Sequence, residues 1–357
     1  MKKLRTGVMG CTGLVGQQFV RMLDGHPYFE VVTLTASKQS AGKRYGDAVE
    51  WLLGGYVPEY ARNIVIEATS AESLGKKHVK AVFSALPSAV AREIENDLAD
   101  RGACVFSNAS TFRLDSDVPV LIPEVNPDHL ELVKSQLSYR SGFIITNSNC
   151  TASGLVLALK PLCKFGIKRV FVTTYQAISG AGRRGLASFD ILGNVIPYIK
   201  DEEEKIEAEC RKILGTIKGN SVEESPIEVN ASCCRVPVRD GHLESVAVEL
   251  ADDPDIEAVI KALASFRGAP QEARLPTAPE SPLIVRAEKD RPQPVLDLQA
   301  GSPDRAKAMA VTIGRLRKKG TTINFFLLVH NTIRGAAGTC ILNAELALRS
   351  GLIRLNS

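Results

Sequence analysis

Tryptophan occurs once in 357 residues, methionine four times and histidine five times. With so few histidines, any one that faces a cleft is conspicuous, because few other side chains titrate near neutrality. The eight cysteines include no CxxC pair, and no His/Cys cluster has the spacing of a zinc site, so neither a metal nor a disulfide framework is expected. Free thiols fit a reducing compartment. No window reaches the ~18 apolar residues of a membrane span, and the apolar stretch after MKKLRT is too short for a secretory leader. A cytoplasmic protein that uses no membrane is the expectation. Nor is there an excess of one charge: 44 Lys and Arg stand against 40 Asp and Glu, leaving +4. The basic residues are spread out, which argues against a nucleic-acid surface. The one dense run, RLRKKG at 315–320, reads as a solvated turn.

What is present is a regular alternation. The chain is long enough for two domains. Up to residue 146, apolar strand-like runs alternate with helical patterns. The strands are LRTGVMG, VVTLTAS, KAVFSALP, ACVFSNAS, VPVLIP and GFIIT; the helices follow LVGQQ and lie near 88–101 and 127–138. Continuously apolar strands between helices predict a Rossmann-like, doubly wound parallel sheet over 1–149. After residue 150 the pattern changes. A helix at 151–164, the strand RVFVTTYQ, a helical stretch over 186–214 and another at 256–266 are expected. EVNASCCRVPV and HLESVAVEL are expected to pair across the turn RDG, and AMAVTIGRLRKKGTTINFFLLVHN to form a second hairpin. The resulting α+β domain, 150–330, has a mixed sheet and is expected to hold substrate and form subunit contacts. The amphipathic helix AAGTCILNAELALRSGL, in the segment 331–357, is expected to fold back onto the first domain.

GCTGLVG (10–16) follows the first strand and opens the first helix. Small residues let the backbone approach a pyrophosphate, and a helix N-terminus offers unpaired N–H donors. At the end of the second strand an NAD-selective site would carry an acid. TASKQSAGK (35–43) has none. Ser37, Ser40, Lys38 and Lys43 suit a 2′-phosphate, so NADP(H) is read over NAD.

Cys150, in NSNCTASGL, lies where a strand hands over to a helix. The helix dipole favours a thiolate there, and Asn149 can cap the helix or donate to an oxyanion. Position alone leaves two readings open, a nucleophile and a buried structural cysteine. His242, after the turn in RVPVRDGHLE, can point into a cleft, and Arg235 offers a planar fork for a carboxylate or phosphate. His26, His78 and His129 read as solvent-exposed.

GCTGLVGQ, SNASTFR, NSNCTASGL, YQAISGAG, EEEK, RVPVRDGH and HNTIRGAAG occur in this order. Together they closely resemble the archaeal and fungal branch of the aspartate-semialdehyde dehydrogenases, from residue 5 to about 350. The resemblance implies that Cys150 forms an acyl-thioester, His242 is the acid/base catalyst and Gln176 orients the intermediate. It implies that Arg235 binds the substrate carboxylate and that Glu203, or one of its neighbours Glu202 and Glu204, binds the amino group. Lys205, Arg113 and Asn149 would bind phosphate. Gly10, Thr12, Gly13, Leu14, Val15, Ser37, Lys38, Ser40, Ser84, Leu86, Ser179, Gly180 and Asn331 would contact the cofactor. The implied reaction is NADPH-dependent reductive dephosphorylation of L-aspartyl-4-phosphate to L-aspartate 4-semialdehyde with release of inorganic phosphate, on the route to lysine, threonine and methionine, in a homodimer or homotetramer. A malonyl-CoA reductase of the same fold would not need EEEK or STFR. A non-catalytic NADP-binding sensor would not need Cys150 and His242 together.

Overall fold

The computed structural model describes every residue except Met1, Lys76, Arg183 and 355–357. The end of the expected 331–357 segment therefore lies outside the described residues. The first half is built from β1 (Leu4–Met9), α1 (Leu14–Met22), β2 (Phe29–Ala36), β3 (Glu67–Ala68), β4 (Ala81–Ser84), α2 (Ser88–Asp100), β5 (Cys104–Ser107) and β6 (Phe143–Thr146). All neighbouring strands run parallel, in the order β3-β2-β1-β4-β5-β6. This is the doubly wound order, and its direction reverses between β1 and β4, where ligands bind in such sheets. Both faces are covered, which is why the strands are apolar throughout. Val8, Leu34, Phe83 and Phe106 pack into one core; Met9, Val82, Val105 and Ile144 pack into another.

VPVLIP (118–123) does not become a strand. It makes only an isolated parallel bridge from Val120 to Thr146 at the sheet's edge.

The second half starts with α3 (Cys150–Leu159) and β7 (Ile167–Gln176), followed by α4 (Glu202–Ile213) and the small hairpin β8 (Thr216–Lys218) and β9 (Ser221–Glu223). Then come β10 (Glu228–Arg235), β11 (His242–Leu250), α5 (Ile256–Ala264), β12 (Leu283–Val285), β13 (Val311–Lys319) and β14 (Thr322–Val329). The mixed sheet has the order β10-β7-β11-β14-β13-β12. The expected β10–β11 hairpin does not form. β7 lies between the two, parallel to β10 and antiparallel to β11. Residues 236–241 are thus a crossover over the end of β7, and this brings Arg235, Gln176 and His242 to one end of three adjacent strands. The second expected hairpin, β13–β14, forms and turns at Gly320 (φ +57°). Of RLRKKG, residues 315–319 are the end of β13 and only Gly320 belongs to the turn; Arg315, Arg317 and Lys319 are exposed.

The helical expectation over 186–214 holds only for α4 and a short turn at Ser188–Ile191; between them the chain is irregular. The last helix, α6 (Gly338–Arg349), is not amphipathic. Residues 338–347 are buried on every side, and Cys340, Ile341 and Leu342 join the core beneath β1 and β2. A helix apolar around its circumference needs partners on all faces. It finds them because it returns to the first sheet. No helix among the described residues is long and apolar enough to cross a membrane.

Candidate active site

A cavity of about 560 Å³ opens at the C-terminal ends of β1 and β4 and continues to the ends of β7 and β10. Its first wall is the glycine loop. Gly10 has φ +70°, and a Cβ there would sit 2.5 Å from the Ala85 carbonyl oxygen. A Cβ on Gly16 would sit 2.1 Å from the Gly10 oxygen. These two glycines let backbone pack on backbone. Gly13 faces the cavity and caps α1 with no side chain, so first-turn N–H groups are left for an anion.

Leu14, Val15, Leu86, Ser179, Gly180 and Asn331 line the same space. Ser37, Lys38 and Ser40 form a turn beyond β2, exposed or half-exposed, as a 2′-phosphate requires. Thr12 is half-buried, and its carbonyl accepts from Gln17. Ser84 departs from expectation: it is fully buried, and its hydroxyl donates to Glu95 at 2.6 Å, so it points under the sheet and away from the cavity. The cradle fits a dinucleotide.

The opposite wall holds the chemistry. α3 begins at Cys150, and the Asn149 side chain accepts from the N–H groups of Thr151 (2.8 Å) and Ala152 (3.2 Å). Cys150 Sγ lies 3.2 Å from Nε2 of His242. The ring's Nδ1 accepts the backbone N–H of Ala177 at 3.1 Å, and the Ala177 carbonyl accepts from Arg235 at 2.8 Å. Gly335 packs against Cys150 from behind, where a Cβ would lie 2.7 Å from that of Cys150.

Although Cys150 borders the cavity, surrounding protein pushes its thiol up to about 12, and Glu202 adds to the rise. Arg113, Arg235 and the Thr151 N–H act in the opposite direction but are outweighed. Burial thus opposes the helix terminus at this thiol. Burial likewise pushes His242 down to about 3, assisted by Arg235 and His330; the Gly241 carbonyl opposes this and is outweighed.

Among the three acids that open α4, Glu203 is not the one at the site. Its carboxylate accepts the Cys233 N–H at 2.8 Å, on the edge of the sheet. Glu202 is buried and accepts from Asn149 (2.9 Å) and Gln176 (3.1 Å). One helical turn later Lys205 reaches the cavity. Glu209 follows on the same face, pairing with Arg113 at 2.9 Å and accepting the Asn149 N–H at 2.5 Å. Lys212 donates to the carbonyls of Arg113, Asp115 and Val118. The spacing 202, 205, 209, 212 is a helical face and was readable, but only once Arg113 was known to lie beside it.

His26 and His129 are fully buried, contrary to expectation. His26 pairs with Glu345 at 2.8 Å, and His129 bonds Asn126. Only His78 of the three is exposed. No metal-binding cluster is found among the described residues.

The family model for the semialdehyde dehydrogenase NAD-binding domain matches residues 5–133, and that for its dimerisation domain matches 159–334. The aspartate-semialdehyde dehydrogenase of Archaeoglobus fulgidus is 48% identical over 352 residues, covering 97% of this chain and 98% of the relative. The chain belongs to the aspartate-semialdehyde dehydrogenase family. A crystal structure of the Candida albicans aspartate-semialdehyde dehydrogenase with NADP superposes with a TM-score of 0.88 at 39% identity, over 98% of this chain and 100% of that one. The family's fold also serves a malonyl-CoA reductase (NADP) from Metallosphaera sedula, 40% identical over 99% of both chains.

Proposed function

We propose that this chain reduces L-aspartyl-4-phosphate to L-aspartate 4-semialdehyde with NADPH, releasing inorganic phosphate, as an aspartate-semialdehyde dehydrogenase. The observation that carries the reading is the Cys150–His242 contact of 3.2 Å, with Cys150 bordering a cavity that the glycine loop, Arg235 and Lys205 also line. A thiol next to an imidazole, opposite a dinucleotide cradle, is the equipment for thioester chemistry and hydride transfer.

The substrate's three charged groups find complements. Arg235 faces the α-carboxylate and Glu202, in place of Glu203, the ammonium. Lys205 with Arg113 and Asn149 receives the phosphate. Gln176, held by Glu202, orients the acyl group. Cys150 forms the C–S bond as phosphate leaves, and His242 keeps a proton-bearing nitrogen at the reacting atoms. When bound between the glycine loop, the 37–40 turn and Asn331, NADPH supplies a hydride to the thioester carbon. Residues 1–149 with 331–357 form the cofactor domain and 150–330 the catalytic one. Two or four copies assemble in the cytoplasm through the second sheet, where Phe171 on β7 is half-exposed.

The test mixes the protein with semialdehyde, phosphate and NADP and follows absorbance of the reduced cofactor. Wild type gives a phosphate-dependent signal and Cys150→Ala gives none. A silent wild type that oxidises NADPH with malonyl-CoA establishes the reductase reading instead. Full activity of Cys150→Ala refutes the thioester.

A further inference from the structure

His242 makes two directed contacts, one through each ring nitrogen. Nε2 faces Cys150 Sγ at 3.2 Å, and Nδ1 accepts the Ala177 N–H at 3.1 Å. A nitrogen that accepts a hydrogen bond carries no proton. The neutral ring must then hold its proton on Nε2, directed at the sulfur. Protonating Nδ1 as well would set two N–H donors against each other 3.1 Å apart in a fully buried site.

We propose that the Ala177 backbone N–H fixes the tautomer of His242, so that during acylation the imidazole works as a neutral Nε2–H donor and is not the base that deprotonates Cys150. The proposal rests on the acyl-phosphate reading above. In that step the C–S bond forms and the acyl carbon–oxygen bond to phosphate breaks. The thiol proton leaves on the departing phosphate, which becomes hydrogen phosphate. The Nε2–H stabilises the negative charge that develops on the acyl oxygen and is retained by the ring. Protons and charge balance without an imidazolium.

The charges around the ring agree. Arg235 on β10 and His330 after β14 both disfavour a positive charge on His242. Glu202 on α4 faces Cys150 and Arg235. Glu244, two residues along β11, is fully buried with neither carboxylate oxygen hydrogen-bonded, and burial, with Glu202, pushes its carboxyl well above the usual carboxylate range, which disfavours it as a counter-ion. The Gly241 carbonyl competes for a ring proton and favours the charged ring, but burial and the neighbouring charges outweigh it. Ala177 thus acts on both sides of the site, its N–H on His242 and its carbonyl on Arg235.

The experiment is nitrogen NMR of the full-length protein labelled with 15N-histidine, with His242 assigned by its loss in His242→Gln. The expected result, from mildly acidic to mildly alkaline pH, is a protonated Nε2 and a bare Nδ1. An imidazolium, or a proton on Nδ1 shared with the Gly241 carbonyl, overturns the proposal. The alkylation rate of Cys150 by iodoacetamide is read on the unmodified protein. It is expected to climb with pH as one thiol ionisation; a plateau beginning at mildly acidic pH, the mark of a thiolate–imidazolium pair, overturns it. Exchanging the Ala177 amide for an ester replaces the donor by an acceptor. It should move the proton to Nδ1 and slow acylation on the order of 100-fold; an unchanged tautomer refutes the role of Ala177. An imidazolium in a protein that still turns over the semialdehyde defeats this proposal and leaves the activity standing.

Discussion

Gly180 shows how little freedom Arg235 and His242 have. A Cβ there would lie 2.6 Å from Arg235 Nη1 and 3.3 Å from His242 Cε1. Gly180→Ala is therefore expected to displace both side chains while the fold survives. A displacement near 1 Å at a reacting group costs on the order of 100-fold, so kcat/KM should fall by that much with an unaltered circular dichroism spectrum.

The acidic pair on α4 makes a second residue-scale prediction. Glu202→Gln removes the carboxylate that Asn149 and Gln176 share. Charge-assisted bonds contribute about 1.5–3 kcal/mol, so kcat/KM should drop roughly 10- to 100-fold. Glu203→Gln disturbs only a bond to the Cys233 N–H and should leave kcat/KM nearly unchanged. Steady-state kinetics on the two variants decide it, and a reversed order would return the role to Glu203. The adjacent glutamates were indistinguishable in sequence because both favour a helix N-terminus. Which one enters the cavity depends on the rotation of α4 against β10.

At the scale of elements, α2 places a buried acid beneath the cofactor wall. Glu95 receives Ser84 (2.6 Å) and Ser107 (3.0 Å), the last residues of β4 and β5, on the same oxygen. Burial pushes its carboxyl up from 4.5 to about 7, against the two hydroxyl donors. The folded state then holds a proton that the unfolded chain has lost between about pH 4.5 and 7. Its contribution to stability is fully present below the unfolded value and fades as pH rises through the folded one, by about 3 kcal/mol across the window. Glu95→Gln should remove this decline, read as urea-unfolding free energies on either side of the window. An equal slope in wild type and variant would show that Glu95 does not bind that proton. The parallel strands themselves were legible, because a strand covered on both faces must be apolar throughout. The separation of β10 from β11 was not legible. Two strands joined by a short turn pair by default, and only tertiary packing shows that β7 has taken the place between them.

Across the whole molecule, the segment after β14 joins the two sheets. Arg334 and Glu124 form a fully buried bidentate pair at 2.8 and 2.7 Å. It ties the π-helical segment that carries Gly335 (Ile333–Ala337), and with it the back of Cys150, to the connection between β5 and β6. Removing one partner of a buried pair costs about 3–5 kcal/mol. Arg334→Leu should therefore lose that much in chemical denaturation, and adding Glu124→Leu should recover a large part of it. A double variant as unstable as the single one would mean that the pair does more than cancel its own burial.

The sequence by itself determined the alternation of strands and helices, the glycine loop and the ordered motifs that mark the family. These are local or nearly local, set by side-chain periodicity and by backbone positions that tolerate only small residues. The tertiary structure alone decided which glutamate meets Asn149, that Ser84 turns inward to Glu95, and that His26 and His129 are buried. It also decided that burial pushes the Cys150 thiol up. Each of these depends on the solvent and charge around a side chain, and that environment comes from segments a hundred or more residues away as well as from near neighbours.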